Sequence, residues 1–396
     1  MQASEIPTAL IEDLVDLRRD IHAHPEMAFE ERRTSDRIAA RLSEWGIAFD
    51  RGIAKTGIVA TIRSGESNRA IALRCDMDAL PIVERSGRSY ASTHEGVMHA
   101  CGHDGHTTML LGAARCLSQD RHFNGTVYLV FQPAEENEGG GRVMVDQGLF
   151  ERYPVEAVYG MHNWPGLEVG AFAVHTGAAM AAVDLFEIEL LGNGAHAAMP
   201  HLGDDPIVVA GQLITSIQTV VSRAVDPAES VVLTITQVHA GNNRNVVQPT
   251  AMLQGTCRYF NPAMSHVVEQ RMRRLIEGAC AGHGLTSTFR YERKCPAVIN
   301  DAAPARTAAS AAADVVGASN VRTDLPPSMG CEDFAHMLSV KQGCYVWIGN
   351  GPGDGGRQLH SNRFDFNDDI LRIGVSYWVA LVRRCLPTTL APVPAV

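Results

Sequence analysis

A chain of 396 residues is too long for one compact core and too short for three, so two domains are expected. With 45% hydrophobic and 20% charged residues it reads as a folded globular protein, and a formal net charge of −10 argues against nucleic acid as its partner. No run of about 20 apolar residues is present, against a membrane-spanning helix, and Glu5, Glu12, Asp13 and Asp16 stand where a leader would carry a basic-then-apolar run.

From Glu12 to Trp45 the apolar residues Leu14, Leu17, Ile21, Ile38, Ala39, Leu42 and Trp45 recur at three- and four-residue steps, the period of a helix. His24-Pro25 divides it into two helices, since a residue before proline is pushed out of the α region, and Gly46 closes the second. Strands are predicted at Gly57–Arg63, Ala70–Cys75, Gly125–Phe131 and Val155–Gly160, and helices at Asp104–Leu117 and Gly140–Leu149. This alternation points to an α/β sheet covered by helices. From Val183 the order becomes strand (Val183–Leu191), helix (Asp205–Arg223), strand (Ser230–His239), strand (Thr250–Phe260), helix (Pro262–Gly282), strand (Leu285–Tyr291). That is the ferredoxin-like order, read as an α+β domain at 183–292 inserted into a larger α/β domain of 1–182 and 293–396, whose central mixed sheet is flanked by helices. A helix at Ala302–Ala313, a buried strand at Gly343–Ile348, a helix at Asp368–Cys385 and a proline-rich tail complete the chain. Nine cysteines without framework spacing read as reduced thiols of a cytoplasmic protein.

Four loops concentrate ligand-type residues: His99-Ala-Cys101-Gly-His103-Asp104-Gly-His106; Phe131-Gln-Pro-Ala-Glu135-Glu136; Gly160-Met-His162-Asn163-Trp164; and Gln358-Leu-His360-Ser361, which follows the glycine-rich stretch 349–356. Each lies beside a strand end or helix start, where open α/β sheets bind ligands. Singly, each has an ordinary explanation: a buried cysteine in a polar loop, a solvated acidic turn, a core histidine. Together they supply a thiol, imidazoles and a carboxylate from separate loops, more than the four ligands of a closed zinc site and suited to two metals with open positions.

At these residues the chain resembles the amidohydrolase family of hippurate hydrolases, N-acyl-amino-acid deacylases and auxin-conjugate hydrolases, within the clan of dinuclear-metal exopeptidases. The similarity runs nearly end to end: Leu17-Arg18-Arg19-Asp20-Ile21-His22-x-x-Pro25-Glu26, Arg74-Cys-Asp76-Met77-Asp78-Ala79-Leu80-Pro81, His99-Ala-Cys101-Gly-His103-Asp104, Phe131-Gln-Pro-Ala-Glu135-Glu136, Gly160-Met-His162, Gly194-Ala195-His196 and Asn245-Val-Val-Gln-Pro249. The resemblance implies Cys101 as a thiolate bridging two divalent ions (zinc or manganese, with cobalt or nickel as options), and His103, Glu136, His162 and His360 as the other ligands. It implies Glu135 as general base, Asp78 as an acid behind the ligands, and His196 as oxyanion donor, often from a neighbouring subunit. Asp76 occupies the place where much of the clan has a metal-binding histidine, and is not counted as a ligand. Asn245 and Arg258 are expected to bind the substrate carboxylate. The implied reaction is hydrolysis of N-acyl amino acids by a homodimer or higher oligomer, with closure between domains.

Alternatives remain at this stage. A dipeptidase or carboxypeptidase would use the same centre. A metal-free hydrolase would use Cys101 with His103 or His162 but leave Glu135, Glu136 and His360 idle. A non-catalytic binder would have no use for a base at Glu135. Leu191-Gly-Asn-Gly194 lacks the full dinucleotide fingerprint. Trp164, Met180 and Met199 leave room for a bulky acyl group.

Overall fold

The computed structural model describes residues 6–136, 138–352 and 358–388. Residues 353–356 of the glycine-rich stretch and the tail from 389 lie outside them. The chain forms two compact units: Met1–Ala179, Ile299–Pro326 and Asp333–Val396 make the first, Met180–Val298 and Pro327–Glu332 the second. The return segment Pro327–Glu332 carries no pattern that marked it in the sequence.

The first unit is built on an eight-stranded sheet in the order Ala48–Ile53, Gly57–Ser64, Gly125–Gln132, Ala70–Asp76, Ala157–Pro165, Gly343–Gly351, Phe172–Val174, Val321–Arg322. Its four central strands run parallel and the Gly57–Ser64 and Phe172–Val174 neighbours antiparallel, so the sheet is mixed. Ala70–Asp76 and Gly343–Gly351 are buried along their whole length, which is why they read as continuous apolar runs rather than alternations. Helices Thr8–Ala23, His103–Gln119 and Leu371–Cys385 pack together on the sheet. The helix at Thr8–Ala23 ends before His24-Pro25, and Gly46, at φ 66°, donates its N–H to Ser43 after the Arg32–Glu44 helix. The Ala48–Ile53 strand was not predicted: it is an edge strand with most side chains exposed, so it lacks an apolar alternation.

In the second unit four antiparallel strands lie in the order Val231–Ala240, Thr250–Tyr259, Ala182–Leu191, Thr286–Cys295. Helices Pro206–Ser216 and Ala263–Gly282 bury Val209, Leu213, Val268, Met272 and Ile276 in its core. Asp184 accepts from Tyr259 Oη (2.8 Å) and Ser265 Oγ (2.6 Å), tying strand to helix. The helix predicted for Asp205–Arg223 divides: the α-helix stops at Ser216 and Val220–Ala224 forms a π turn. β-branched Ile217, Thr219, Val220 and Val221 crowd this stretch.

Candidate metal centre

Ligand-type side chains gather at the carboxyl ends of the parallel strands. After His99, Gly102 at φ 100° turns the chain into the His103–Gln119 helix, and a Cβ there would run into Asn163 Oδ1. Cys101 is left at the helix entrance and His103 on its first turn. His162 comes from the neighbouring Ala157–Pro165 strand, its Nε2 3.3 Å from Cys101 Sγ. Glu135 and Glu136 follow the Gly125–Gln132 strand. His360 has a left-handed backbone (φ 60°), donates its N–H to Ala100 O at 2.8 Å, and places Nε2 3.1 Å from Glu136 Oε1.

The result is two overlapping triads. Cys101, His103 and His162 each present a ligand atom within 4.8 Å of the others, as do Cys101, Glu136 and His360. The thiol of Cys101 is common to both. Glu135 joins His103 and Glu136 in a further group of the same span, and its Oε1 accepts the Asp333 N–H at 3.2 Å. Asp78 braces two of these residues: Oδ1 faces His103 Nδ1 at 3.2 Å and Oδ2 accepts the Glu136 N–H at 2.9 Å. A carboxylate behind a ligating imidazole fixes the ring's orientation and raises its basicity. Asp76 is engaged elsewhere, by Arg74 Nη1 (2.8 Å) and His106 Nδ1 (2.6 Å), and lies 3.9 Å from His103 Nε2.

The electrostatics fit a cation. Burial alone would lower the pKa of His103, yet Asp76, Asp78 and Glu136 outweigh it and raise it to about 10. The carboxylates around His103 therefore favour a positive charge at this position. Burial and then the neighbouring His106 ring hold His162 well below the usual histidine range, so it is neutral. Its Nδ1 lies 2.6 Å from Asn163 O and carries the proton, leaving the Nε2 lone pair facing Cys101. Among the described residues, His103 Nε2 is buried without a hydrogen-bond partner. Such a nitrogen, beside a thiol, a neutral imidazole and carboxylates, is a donor set for borderline divalent ions.

In the second unit His196 and Asn245 are brought together. The Ala198 N–H lies 3.1 Å from His196 Nδ1, and the Asn245 Nδ2 lies 3.2 Å from its Nε2. Both residues are exposed. Arg258 does not join them: eight residues beyond Thr250 on a strand, it stands about 26 Å from that strand's start, and its Nη1 donates to Met329 O at 3.1 Å.

Residues 72–384 match the model of Peptidase family M20/M25/M40. The chain belongs to this family. It is 39% identical over 377 residues to an N-acetylcysteine deacetylase of Bacillus subtilis, covering 95% of this chain and 97% of the relative. It is 35% identical over 384 residues to a hippurate hydrolase of Campylobacter jejuni, covering 95% and 99%. A crystal structure of a dinuclear metal-binding peptidase of the M20 family from Bacillus subtilis superposes with a TM-score of 0.85 at 36% identity, covering 97% of this chain and 100% of that one. This M20 chain is accordingly a metal-dependent amidohydrolase, as its motifs implied.

Around the M20 site the structure adds residues that the sequence reading left without a role. His106, three residues beyond His103 and hence on the same helix face, contacts Asp76 and Asn163 Oδ1 (2.6 Å each). That spacing is visible in sequence. Asp333 is not: its carboxylate accepts from Arg74 Nη2 (3.0 Å), Gln132 Nε2 (2.8 and 2.9 Å) and Gly141 N (2.7 Å), partners at least 192 residues away.

Proposed function

We propose that the chain hydrolyses the amide bond of N-acyl amino acids, hippurate-like, N-acetyl or aryl-acyl, releasing a carboxylic acid and a free amino acid. The observation that carries this is the pair of ligand triads sharing Cys101 with Glu135 against them. Two divalent ions, zinc or manganese with cobalt and nickel as alternatives, would be held by His103 and His162 on one side and Glu136 and His360 on the other, with Cys101 between. Such ions supply Lewis acidity, polarising a carbonyl and making hydroxide available at neutral pH. Glu135 takes the proton of the attacking water on a carboxylate oxygen and passes it to the departing amine nitrogen. The Asp333 N–H orients that carboxylate. Asp78 fixes the imidazole of His103 and the backbone of Glu136. His196 donates to the developing oxyanion, and Asn245, beside it, is the receptor for the substrate carboxylate. The setting proposed is cytoplasmic, and the assembly a homodimer or higher homo-oligomer.

One observation favours a second reading: the 3.3 Å approach of Cys101 Sγ to His162 Nε2 is also the geometry of a thiol–imidazole pair. Against it, the depressed pKa of His162 makes its imidazolium unfavourable. The experiment is amine release from N-acetyl, N-benzoyl and indole-acetyl amino acids by chelated protein, before and after zinc or manganese is returned. Metal-restored hydrolysis is expected, with Glu135→Gln retaining metal and losing about 10²–10⁴-fold in turnover. Activity that survives complete chelation would establish the cysteine reading instead, and release from dipeptides alone would make the enzyme a peptidase.

A further inference from the structure

Among the described residues five non-glycine residues have left-handed backbones: Phe29, Ala54, Lys55, Ala134 and His360. Four of these lie on three segments that meet at one fully buried carboxylate, Glu31. Its Oε1 accepts the N–H of Phe29 (3.0 Å) and of Ala134 (2.9 Å), and its Oε2 accepts the hydroxyl of Thr56, the residue after Ala54-Lys55, at 2.6 Å. Left-handed side-chain-bearing residues are disfavoured and persist only where their surroundings over-determine them. Ala134 immediately precedes Glu135 and Glu136. Its carbonyl accepts the Gly140 N–H at 2.8 Å, and downstream the Glu136 N–H is held by Asp78.

We propose that Glu31 is a positioning residue for the Ala134-Glu135-Glu136 turn: its carboxylate fixes the left-handed Ala134 and so sets the direction in which both glutamates leave the chain. The inference rests on the reading of Glu135 as base and Glu136 as ligand. Relaxing Ala134 toward an ordinary backbone region would swing Glu135 away from His103 and from the Asp333 N–H. Glu31 acts by reach and acceptance, not by charge. Burial pushes its carboxyl up to about 7 against the Thr56 hydrogen bond, with Asp78 adding to the rise, so the uncharged form is accessible near neutrality.

Two variants separate the possibilities. Glu31→Gln keeps length and a carbonyl acceptor without charge; Glu31→Asp keeps charge and loses reach. On the metal-loaded enzyme, Glu31→Gln is expected to hold kcat within about threefold. Glu31→Asp should lose about 10- to 100-fold in kcat with KM within about twofold, the size of loss that a displacement near 1 Å produces. Adding Ala134→Gly to Glu31→Asp should recover threefold or more, because glycine takes a positive φ without side-chain cost. A readout independent of activity is amide hydrogen exchange across 131–136 in chelated protein, which should accelerate in Glu31→Asp and remain as wild type in Glu31→Gln. Turnover in Glu31→Asp at or above that of Glu31→Gln, unchanged exchange in Glu31→Asp, or no recovery with Ala134→Gly would each overturn the proposal. Should Glu31→Asp not fold, Glu31→Gln decides: native turnover and protection uphold it, and loss of both at a native melting temperature sinks it. If the wild type hydrolyses none of the amides, the functional reading fails while the exchange comparison still judges Glu31.

Discussion

The Leu17–Glu26 motif has its explanation in Asp104, the residue that follows His103. Arg18 and His22, one helical turn apart, both face it: His22 Nδ1 lies 2.8 Å and Arg18 Nη1 3.4 Å from Asp104 Oδ2. Arg18 Nε also donates to Asp368 at 2.8 Å, so the first turn of the helix bearing His103 is tied to two other parts of its unit. His22 Nε2 lies 3.3 Å from Glu84, so the ring donates to a carboxylate on both sides, which only the imidazolium can do. Burial lowers the pKa of His22, but Asp104 and Glu84 overcome this and raise it to about 9 from the ordinary 6.5. The sign follows. The folded state holds the proton more tightly than the unfolded chain, so the contribution is complete below pH 6.5 and is lost as pH rises through 9. The span corresponds to about 3 kcal/mol. Against His22→Gln, the wild type should show its full stability advantage at pH 6 and lose most of that amount by pH 9.5, measured by urea unfolding at both pH values. A difference that does not vary with pH would mean that His22 is neutral in the fold.

At the scale of elements, the helix carrying His103 reaches its neighbours through glycines. A Cβ on Gly112 would lie 2.5 Å from Val375 Cγ2 and 2.7 Å from Leu14 Cδ1, both buried on adjacent helices. Overpacking of this kind costs about 1–3 kcal/mol. Gly112 is nine residues from His103, about 13 Å along the helix axis. Gly112→Ala should therefore lower the melting temperature by a few degrees while leaving the turnover of the folded enzyme and its metal content unchanged. Lost turnover at an unaltered melting temperature would show that helix placement and site geometry are not separable. The same scale explains what the sequence disclosed. Cys101, His103, Glu135, Glu136, His162 and His360 stood out because they are ligand-type residues clustered near strand ends and a helix start, although His103 lies on its helix and His162 within its strand. The βαββαβ order was legible because its strands alternate and its helices carry a period. Glu31, Arg74 and Asp333 were not, since a buried acid or guanidinium has no periodicity and its meaning lies in partners some 100 to 260 residues away. Short strands such as Phe172–Val174 and Val321–Arg322 are fixed by the sheet they join rather than by any local pattern.

For the whole molecule, the two edges of the second unit's sheet differ in kind. The Thr286–Cys295 edge carries Arg290, Glu292, Arg293 and Lys294, charges of the sort that keep an edge strand from pairing with another chain. The opposite edge, Val231–Ala240, has no charged residue and no proline, and it exposes Val232 and Val238. In the same unit the Pro206–Ser216 helix leaves Ile207, Val208 and Ile214 exposed. An unprotected edge with apolar side chains is a template for strand pairing, and a second copy of the same chain satisfies it with two-fold symmetry. Light scattering should give twice the chain mass, and the double variant Val232→Lys, Val238→Lys should give the single mass, with metal content unchanged because those residues belong to the other unit. Turnover adds a second reading of the same experiment. If His196 serves a neighbouring chain, as the family resemblance implies, the monomeric variant should bind metal normally and lose about 10²–10³-fold in kcat, the usual loss for one oxyanion donor. A wild type that is monomeric would remove this edge as a self-interface, and a monomeric variant with full turnover would confine the work of His196 to its own chain.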